Sequence, residues 1–321
     1  MSVFTPVSRE QLASWLKSYS VGAPVELEPI AAGIENTNYF VTTGQGRYVL
    51  TLFERLPANE LPFYLDLMAH LARHGIPCPA PIADLSDRFL STLNGKPAAL
   101  VTRLEGKSIE QPAEHECAEL GALLARMHLA ARSFGGYLEN PRGPKWWRSA
   151  AVDVRPFLDA AQIDLLQSEL RFQAQQRFPD LPRAAVHADL FRDNAFFKDG
   201  RISAVFDFYF AGVDCLAFDL AVCVNDWCLV DAQRDRRLHE GRLRALLGAY
   251  TAVRPLLPAE RAAWPAMLRA AALRFWLSRL HDKHLPRPGE MVKVHDPEHF
   301  REILALRAGE ADAAAATVDA R

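Results

Sequence analysis

Over the first hundred residues, apolar and polar positions alternate in short runs at 25–29, 34–42, 48–53, 89–93 and 98–104. A period of two predicts strands with one buried face. Between the third and fourth runs the spacing turns helical from Leu61 to His74 and stops at Gly75 and Pro77. Beyond residue 104 the pattern is that of amphipathic or wholly apolar helices, near 113–132, 152–178, 216–230, 236–253, 259–284 and 297–307. One short hairpin interrupts them: Ala195-Phe196-Phe197, a turn at Lys198-Asp199-Gly200-Arg201, then Ile202 to Phe206. Asp-Gly between two apolar runs is the signal for that turn. The Ala-rich tail 308–321 is expected to fray. The asymmetry predicts an α+β chain with a small β-rich N-terminal lobe (1–103), a large mainly helical C-terminal lobe (104–321) and a hinge at about 102–106.

With 321 residues, half of them hydrophobic, the chain has enough apolar mass for two lobes. A formal charge of -2 leaves no basic surplus for nucleic acid, and no apolar run reaches the length of a membrane span. Arg9, Glu10 and Lys17 interrupt the N-terminal segment, which lacks the apolar core of a signal peptide, so a cytoplasmic location is expected. Cys78, Cys117, Cys215, Cys223 and Cys228 are odd in number and have no CxxC spacing, as expected of reduced core thiols.

Chemistry concentrates around the hairpin. His187-Ala188-Asp189-Leu190-Phe191-Arg192-Asp193-Asn194 precedes it and Asp207 ends it, in the order His-x-Asp-x-x-x-x-Asn…Asp. That order resembles the catalytic and metal-binding loops of the protein-kinase-like phosphotransferases. Asp189 is the expected base, orienting a substrate hydroxyl. Asn194 and Asp207 are hard oxygen ligands suited to Mg2+ on the phosphates of ATP, and His187 braces the loop. Turn-capping alone would not require this set in this order. Downstream, Asp219 falls where the aminoglycoside-phosphotransferase and choline-kinase-like superfamily has an aspartate supporting its catalytic loop; helix capping is the alternative role.

On the nucleotide side, Ala32-Gly33-Ile34-Glu35-Asn36-Thr37-Asn38-Tyr39 is a polar turn between strands. In this superfamily the corresponding loop lies over the phosphates, so Gly33 would allow close backbone approach while Asn36, Thr37 and Asn38 donate hydrogen bonds. Ordinary hairpin chemistry would also use such residues. At the hinge, Thr102 and Leu104 are expected to offer backbone groups to adenine. The strand that carries a phosphate-binding lysine or arginine in kinases has Thr51 here, so the usual ion pair with a helix carboxylate, for which Glu60 would serve, is not expected, and Arg47 and Arg55 are the neighbouring cations.

Charge near the C-terminus bears on the substrate. Arg274, Arg279, Lys283, Arg287 and Lys293 outnumber Asp282 and Glu290, which disfavours a polycation and favours a carboxylate. Asp226, on an apolar helical run, needs a partner, and a substrate ammonium would be one. Asp226, Arg274 and Arg279 together would suit a zwitterionic hydroxy amino acid, though charge pattern alone favours a solvated helix face on which Asp282 and Glu290 pair with the arginines.

Taken with Asn225-Asp226-Trp227, Arg274-Phe275-Trp276-Leu277-Ser278-Arg279-Leu280 and Tyr48-Val49-Leu50-Thr51-Leu52-Phe53-Glu54, these stretches resemble the bacterial homoserine kinases of the aminoglycoside-phosphotransferase-like superfamily. The resemblance extends over essentially the whole chain. It implies a protein-kinase-like fold and ATP- and Mg2+-dependent phosphorylation of the side-chain hydroxyl of L-homoserine, a step towards threonine. Kinases of choline, ethanolamine, aminoglycosides or sugars are the alternative, and a nucleotide-binding regulator without turnover is the more distant one.

Overall fold

The computed structural model describes residues 4–30, 36–286 and 295–319, the last nine as backbone only. Gly33 and the charged residues Arg287, Glu290 and Lys293 lie outside the described residues. The chain divides into two compact units, Met1–Gly106 with Ser203–Phe206, and Lys107–Ile202 with Asp207–Arg321.

The first unit holds α1 (Arg9–Trp15), β1 (Pro24–Pro29), β2 (Thr37–Thr43), β3 (Gly46–Leu52), α2 (Leu61–Arg73), β4 (Ser91–Leu93) and β5 (Lys96–Thr102). The strands form an antiparallel sheet in the order β1-β2-β3-β5-β4. Alternation works as expected: Thr37, Tyr39, Val41 and Thr43 are buried along β2. Tyr39, Val41, Leu50, Leu52 and Leu100 share a core with Leu12, Trp15 and Leu16. Helix α1 was not anticipated, since only Leu12 and Trp15 are buried in its seven residues, too few for a helical period; Ser8 caps it by accepting from the Gln11 amide at 3.2 Å.

The second unit contains α3 (Glu114–Ala131), α4 (Pro144–Val154), α5 (Ala160–Gln175), β6 (Arg183–Val186), β7 (Ala195–Lys198), β8 (Arg201–Val205), β9 (Gly212–Cys215), α6 (Leu216–Trp227), β10 (Leu229–Asp231), β11 (Asp235–Leu238), α7 (Glu240–Val253), α8 (Pro258–His284) and α9 (Glu298–Asp319). Residues 203–205 of β8 belong to the first unit. The β7–β8 hairpin turns through Asp199 and Gly200, at φ 52° and 77°, as Asp-Gly predicts.

Four expectations change. The helix expected at 152–178 is two, separated by Arg155-Pro156-Phe157, with Asp159 capping α5. The helices expected at 216–230 and 236–253 are shortened by the β10–β11 hairpin, whose charged residues carry no alternation. The tail does not fray at 308: α9 continues to Asp319, consistent with the high helix propensity of alanine. Strands β6 and β9, four residues each, pair only through the tertiary fold.

All twelve residues of α6 are buried. A helix buried on every side cannot carry Asp219, Asn225 and Asp226 unless each finds a polar partner. No helix among the described residues is long and apolar enough to cross a membrane.

Candidate active site

The loop after β6 is shaped by the buried face of α6. Asp219, fully buried, accepts the His187 amide on Oδ2 at 3.2 Å and the Ala188 amide on Oδ1 at 2.7 Å. Ala188 sits in the left-handed region at φ 63°, a conformation costing an alanine on the order of 1–2 kcal/mol, which these two bonds hold in place. The His187 ring, 1% exposed, lies 4.6 Å from Phe208, and its Nδ1 accepts the Asp189 amide at 3.2 Å. Two turns further along α6, Trp227 Nε1 donates to the Leu190 carbonyl at 3.0 Å.

Asp226 grips the same loop. It accepts the Arg192 amide at 2.9 Å and the Arg192 guanidinium through both oxygens, each at 3.0 Å. This corrects the expectation of a substrate ammonium: the buried carboxylate does need a partner, and the chain supplies it. Burial disfavours the Arg192 charge, but Asp226 more than compensates and keeps its pKa above the ordinary value. Replacing Asp226 by Asn is expected to lower kcat while leaving the KM for the amino acid nearly unchanged, as a loop anchor requires. Steady-state kinetics check this; a large rise in KM with normal kcat would restore the ammonium role.

Asp219 is held below the usual carboxylate range. Burial pushes it upward, yet the hydrogen bond and charge of His128 and the loop amides outweigh that effect. His128 was not anticipated, since a histidine on an apolar helix gives no sequence signal. On α3 and 1% exposed, it meets Asp219 through Nε2 at 3.0 Å and the Tyr250 hydroxyl through Nδ1 at 2.7 Å. Tyr250 in turn accepts from Arg254, which pairs with the buried Glu260.

Asn194 ends a single helical turn, Arg192–Asn194, and its Nδ2 donates to the Asp189 carbonyl at 2.8 Å. The amide arm therefore faces Asp189, leaving the carboxamide oxygen as a hard donor. Asp207 is exposed and left-handed at φ 60°, a conformation aspartate tolerates. Among the described residues no cluster of three or more His, Cys, Asp and Glu side chains is placed for a metal ion. Magnesium does not need one, because one or two carboxylates plus phosphate oxygens suffice, and an Asn-Asp pair fits that requirement.

Asp189 has a cationic neighbour: Arg274 Nη1 lies 3.3 Å from its Oδ1. Arg274 is 3% exposed and its Nε finds no partner. Arg279, five residues on, projects about 140° away around α8. It donates to the Asp296 carbonyl at 3.1 Å and lies over Phe300 at 4.5 Å. The two arginines expected to share one carboxylate thus take different partners.

In the first unit, Thr37 is corrected from phosphate donor to internal tie. Its buried hydroxyl donates to Glu54 at 2.8 Å and accepts the Phe4 and Thr5 amides. Thr51 donates across the sheet to Asn38 Oδ1 at 2.8 Å, orienting the Asn38 carboxamide. Asn36 is buried with no partner for Oδ1. The Thr102 amide donates to the Ala80 carbonyl and its hydroxyl accepts from the Ala80 amide, both at 2.9 Å, so of its backbone groups the carbonyl is the one left for adenine. Leu104 lies two residues past the end of β5. Of the candidate cations, Arg47 pairs with Glu105.

Residues 26–256 match the phosphotransferase enzyme family. A homoserine kinase of Methylobacillus flagellatus is 51% identical over 95% of this chain and 94% of its own length. One from Paraburkholderia xenovorans is 49% identical, covering 96% of each chain. Among solved structures, amicoumacin kinase hAmiN in complex with AMP-PNP, Ca2+ and Ami superposes with a TM-score of 0.68 over 94% of this chain and 92% of that one, at 15% identity. Spectinomycin phosphotransferase APH(9)-Ia, in complex with ADP and its antibiotic, gives 0.67 over 94% and 98%, at 13% identity. These two establish the kinase-like fold, an antiparallel N-terminal sheet followed by a mainly helical region, as expected from the sequence. With a loop held by α6 at both ends, and with relatives matching it nearly end to end, the chain belongs to the phosphotransferase enzyme family and, within it, to the group of these homoserine kinases.

Proposed function

We propose that this chain transfers the terminal phosphoryl group of ATP to the side-chain hydroxyl of L-homoserine, giving O-phospho-L-homoserine for threonine synthesis. The observation that carries the reading is the pairing of Arg274 on α8 with Asp189, which sits on a loop anchored by Asp219 and Asp226. Asp189 accepts a hydrogen bond from the hydroxyl, aims its lone pair at the phosphorus and takes the proton late. Arg274 provides a buried positive charge beside that base for the carboxylate of the amino acid. Asn194 and Asp207 would hold Mg2+, which when bound neutralises charge on the phosphates. Asn36 and Asn38 serve as phosphate donors, and the backbone about Leu104 serves adenine. Five free buried thiols and an ATP donor suit the reducing cytoplasm.

An ADP-release assay over L-homoserine, choline, ethanolamine, aminoglycosides and sugars tests the assignment. L-Homoserine alone should respond strongly, and a stronger response to any other acceptor would overturn it. Replacing Asp207 by Ala should abolish turnover at ordinary magnesium concentrations. Full activity in that variant would remove Asp207 from the ligand set.

A further inference from the structure

A second arginine shares an aromatic neighbour with Arg274, brought there by a segment far away in sequence. The Arg142 guanidinium carbon lies 5.6 Å from the centre of the Phe210 ring, and that of Arg274 lies 5.2 Å from the same centre. Both are fixed. Arg142 stacks on Trp146 at 4.2 Å, its amide donates to Asn140 Oδ1 at 2.8 Å, and its carbonyl accepts Trp147 Nε1 at 2.6 Å. Asn140 is tied to Asp214 of β9 at 2.7 Å. The approach is so close that a Cβ added at Gly212 would stand 2.7 Å from the Asn140 Cα. The loop bearing Arg142 is thus moored to the strand that follows Asp207 and Phe210. Arg274 is buried, stacked on Phe275 at 3.7 Å, with an unpartnered Nε. Ser278, one turn along α8, also has a buried hydroxyl without a partner.

Two guanidiniums around one ring repel each other, and burial adds to the cost. Burial first of all, and to a lesser degree the charge of Arg142, pull the Arg274 pKa down to about 10 despite the opposing charges of Asp189 and Asp282. Such an arrangement gains from an arriving anion. The side-chain oxygen and carboxyl carbon of homoserine are separated by three carbons, roughly 5 Å when extended. A hydroxyl placed on Asp189 therefore brings the carboxylate within range of a guanidinium that touches Asp189.

We propose that Arg142 is a specificity-determining residue, seating the α-carboxylate of the amino acid together with Arg274 while Phe210 supports the methylene chain. This rests on the reading of Asp189 and Arg274 as the acceptor site. A carboxylate offers two oxygens, which matches paired guanidinium forks.

Replacing Arg142 by Gln should raise the KM for L-homoserine roughly 10- to 100-fold, the loss of one charged hydrogen-bonding partner. The kcat and the KM for MgATP should be little changed. Activity towards 3-aminopropan-1-ol, which keeps the hydroxyl and lacks the carboxylate, should not respond. Arg142→Lys keeps the charge without the fork, so its KM should fall between the two. Thermal stabilisation by MgADP in each variant reports an intact fold, and the Lys variant carries the test if the Gln variant does not fold. An unchanged KM, an equal fall in kcat for both acceptors, or a raised KM for MgATP overturns the assignment. Arg274→Gln separates the two levels: a normal homoserine KM there defeats the acceptor-site reading itself, whereas a raised KM there beside a normal one in the Arg142 variants defeats only the role of Arg142.

Discussion

Replacing Asp189 by Asn is expected to reduce kcat by about 10²- to 10⁴-fold, the range associated with a positioned general base, while MgADP binds nearly as before. Asparagine keeps the shape and one acceptor oxygen but cannot take a proton. The same change takes the anionic partner from Arg274, a buried arginine whose Nε is already unsatisfied. A moderate loss of stability, about 1–3 kcal/mol, should accompany the kinetic defect. Initial rates against both substrates, calorimetric titration with MgADP and urea unfolding measure the three quantities separately. Turnover close to that of the parent would remove Asp189 from the chemistry and leave Arg274 as a structural partner only.

The second large effect is expected at Asp219. Its two oxygens serve His187, Ala188 and His128 in a site with no exposure to water. In Asp219→Asn one oxygen becomes an NH2 group that faces donors, so a buried hydrogen bond is lost and an amide is left unsatisfied. Losses of this kind run to about 1–3 kcal/mol, and more where the group is charged. Because Ala188 depends on that carboxylate for its left-handed conformation, kcat should fall with stability, while KM for MgATP changes less. The pH dependence has a definite sign. A carboxyl whose pKa is depressed in the folded state binds fewer protons there than in the unfolded chain, so its contribution is complete above the unfolded value, near 3.8, and is lost as pH falls through the lower folded value. The stability gap between parent and variant should be widest at neutral pH and narrow below about 3.8. A gap that is constant down to pH 2.5 would mean that Asp219 is not the ionised anchor of the loop.

Periodicity made the elements legible wherever they are long or bury one face. Strand β2 shows it in Thr37, Tyr39, Val41 and Thr43, and α3, α6 and α8 were expected within a few residues of their observed ends. It failed where four-residue strands pair across the fold, as in β6 with β9, and where Pro156 divides a stretch with helical spacing. At the site, residue types and order were enough to single out His187, Asp189, Asn194, Asp207 and Asp219. They were not enough to say whom a charged residue faces. Asp226 looked like a group awaiting an ammonium, and only the packing of α6 under the loop shows Arg192 already there.

By itself the sequence determined the α+β plan and the family resemblance and marked out the candidate loop, because these follow from local period and from motifs whose members lie close together in the chain. The tertiary structure decided everything that depends on a partner remote in the chain: His128 beneath Asp219, Thr37 tied to Glu54, Arg274 beside Asp189, and Arg142 across the Phe210 ring. The physical reason is that a buried charge or hydrogen-bonding group must be matched in space, and the chain can bring the matching group from any position.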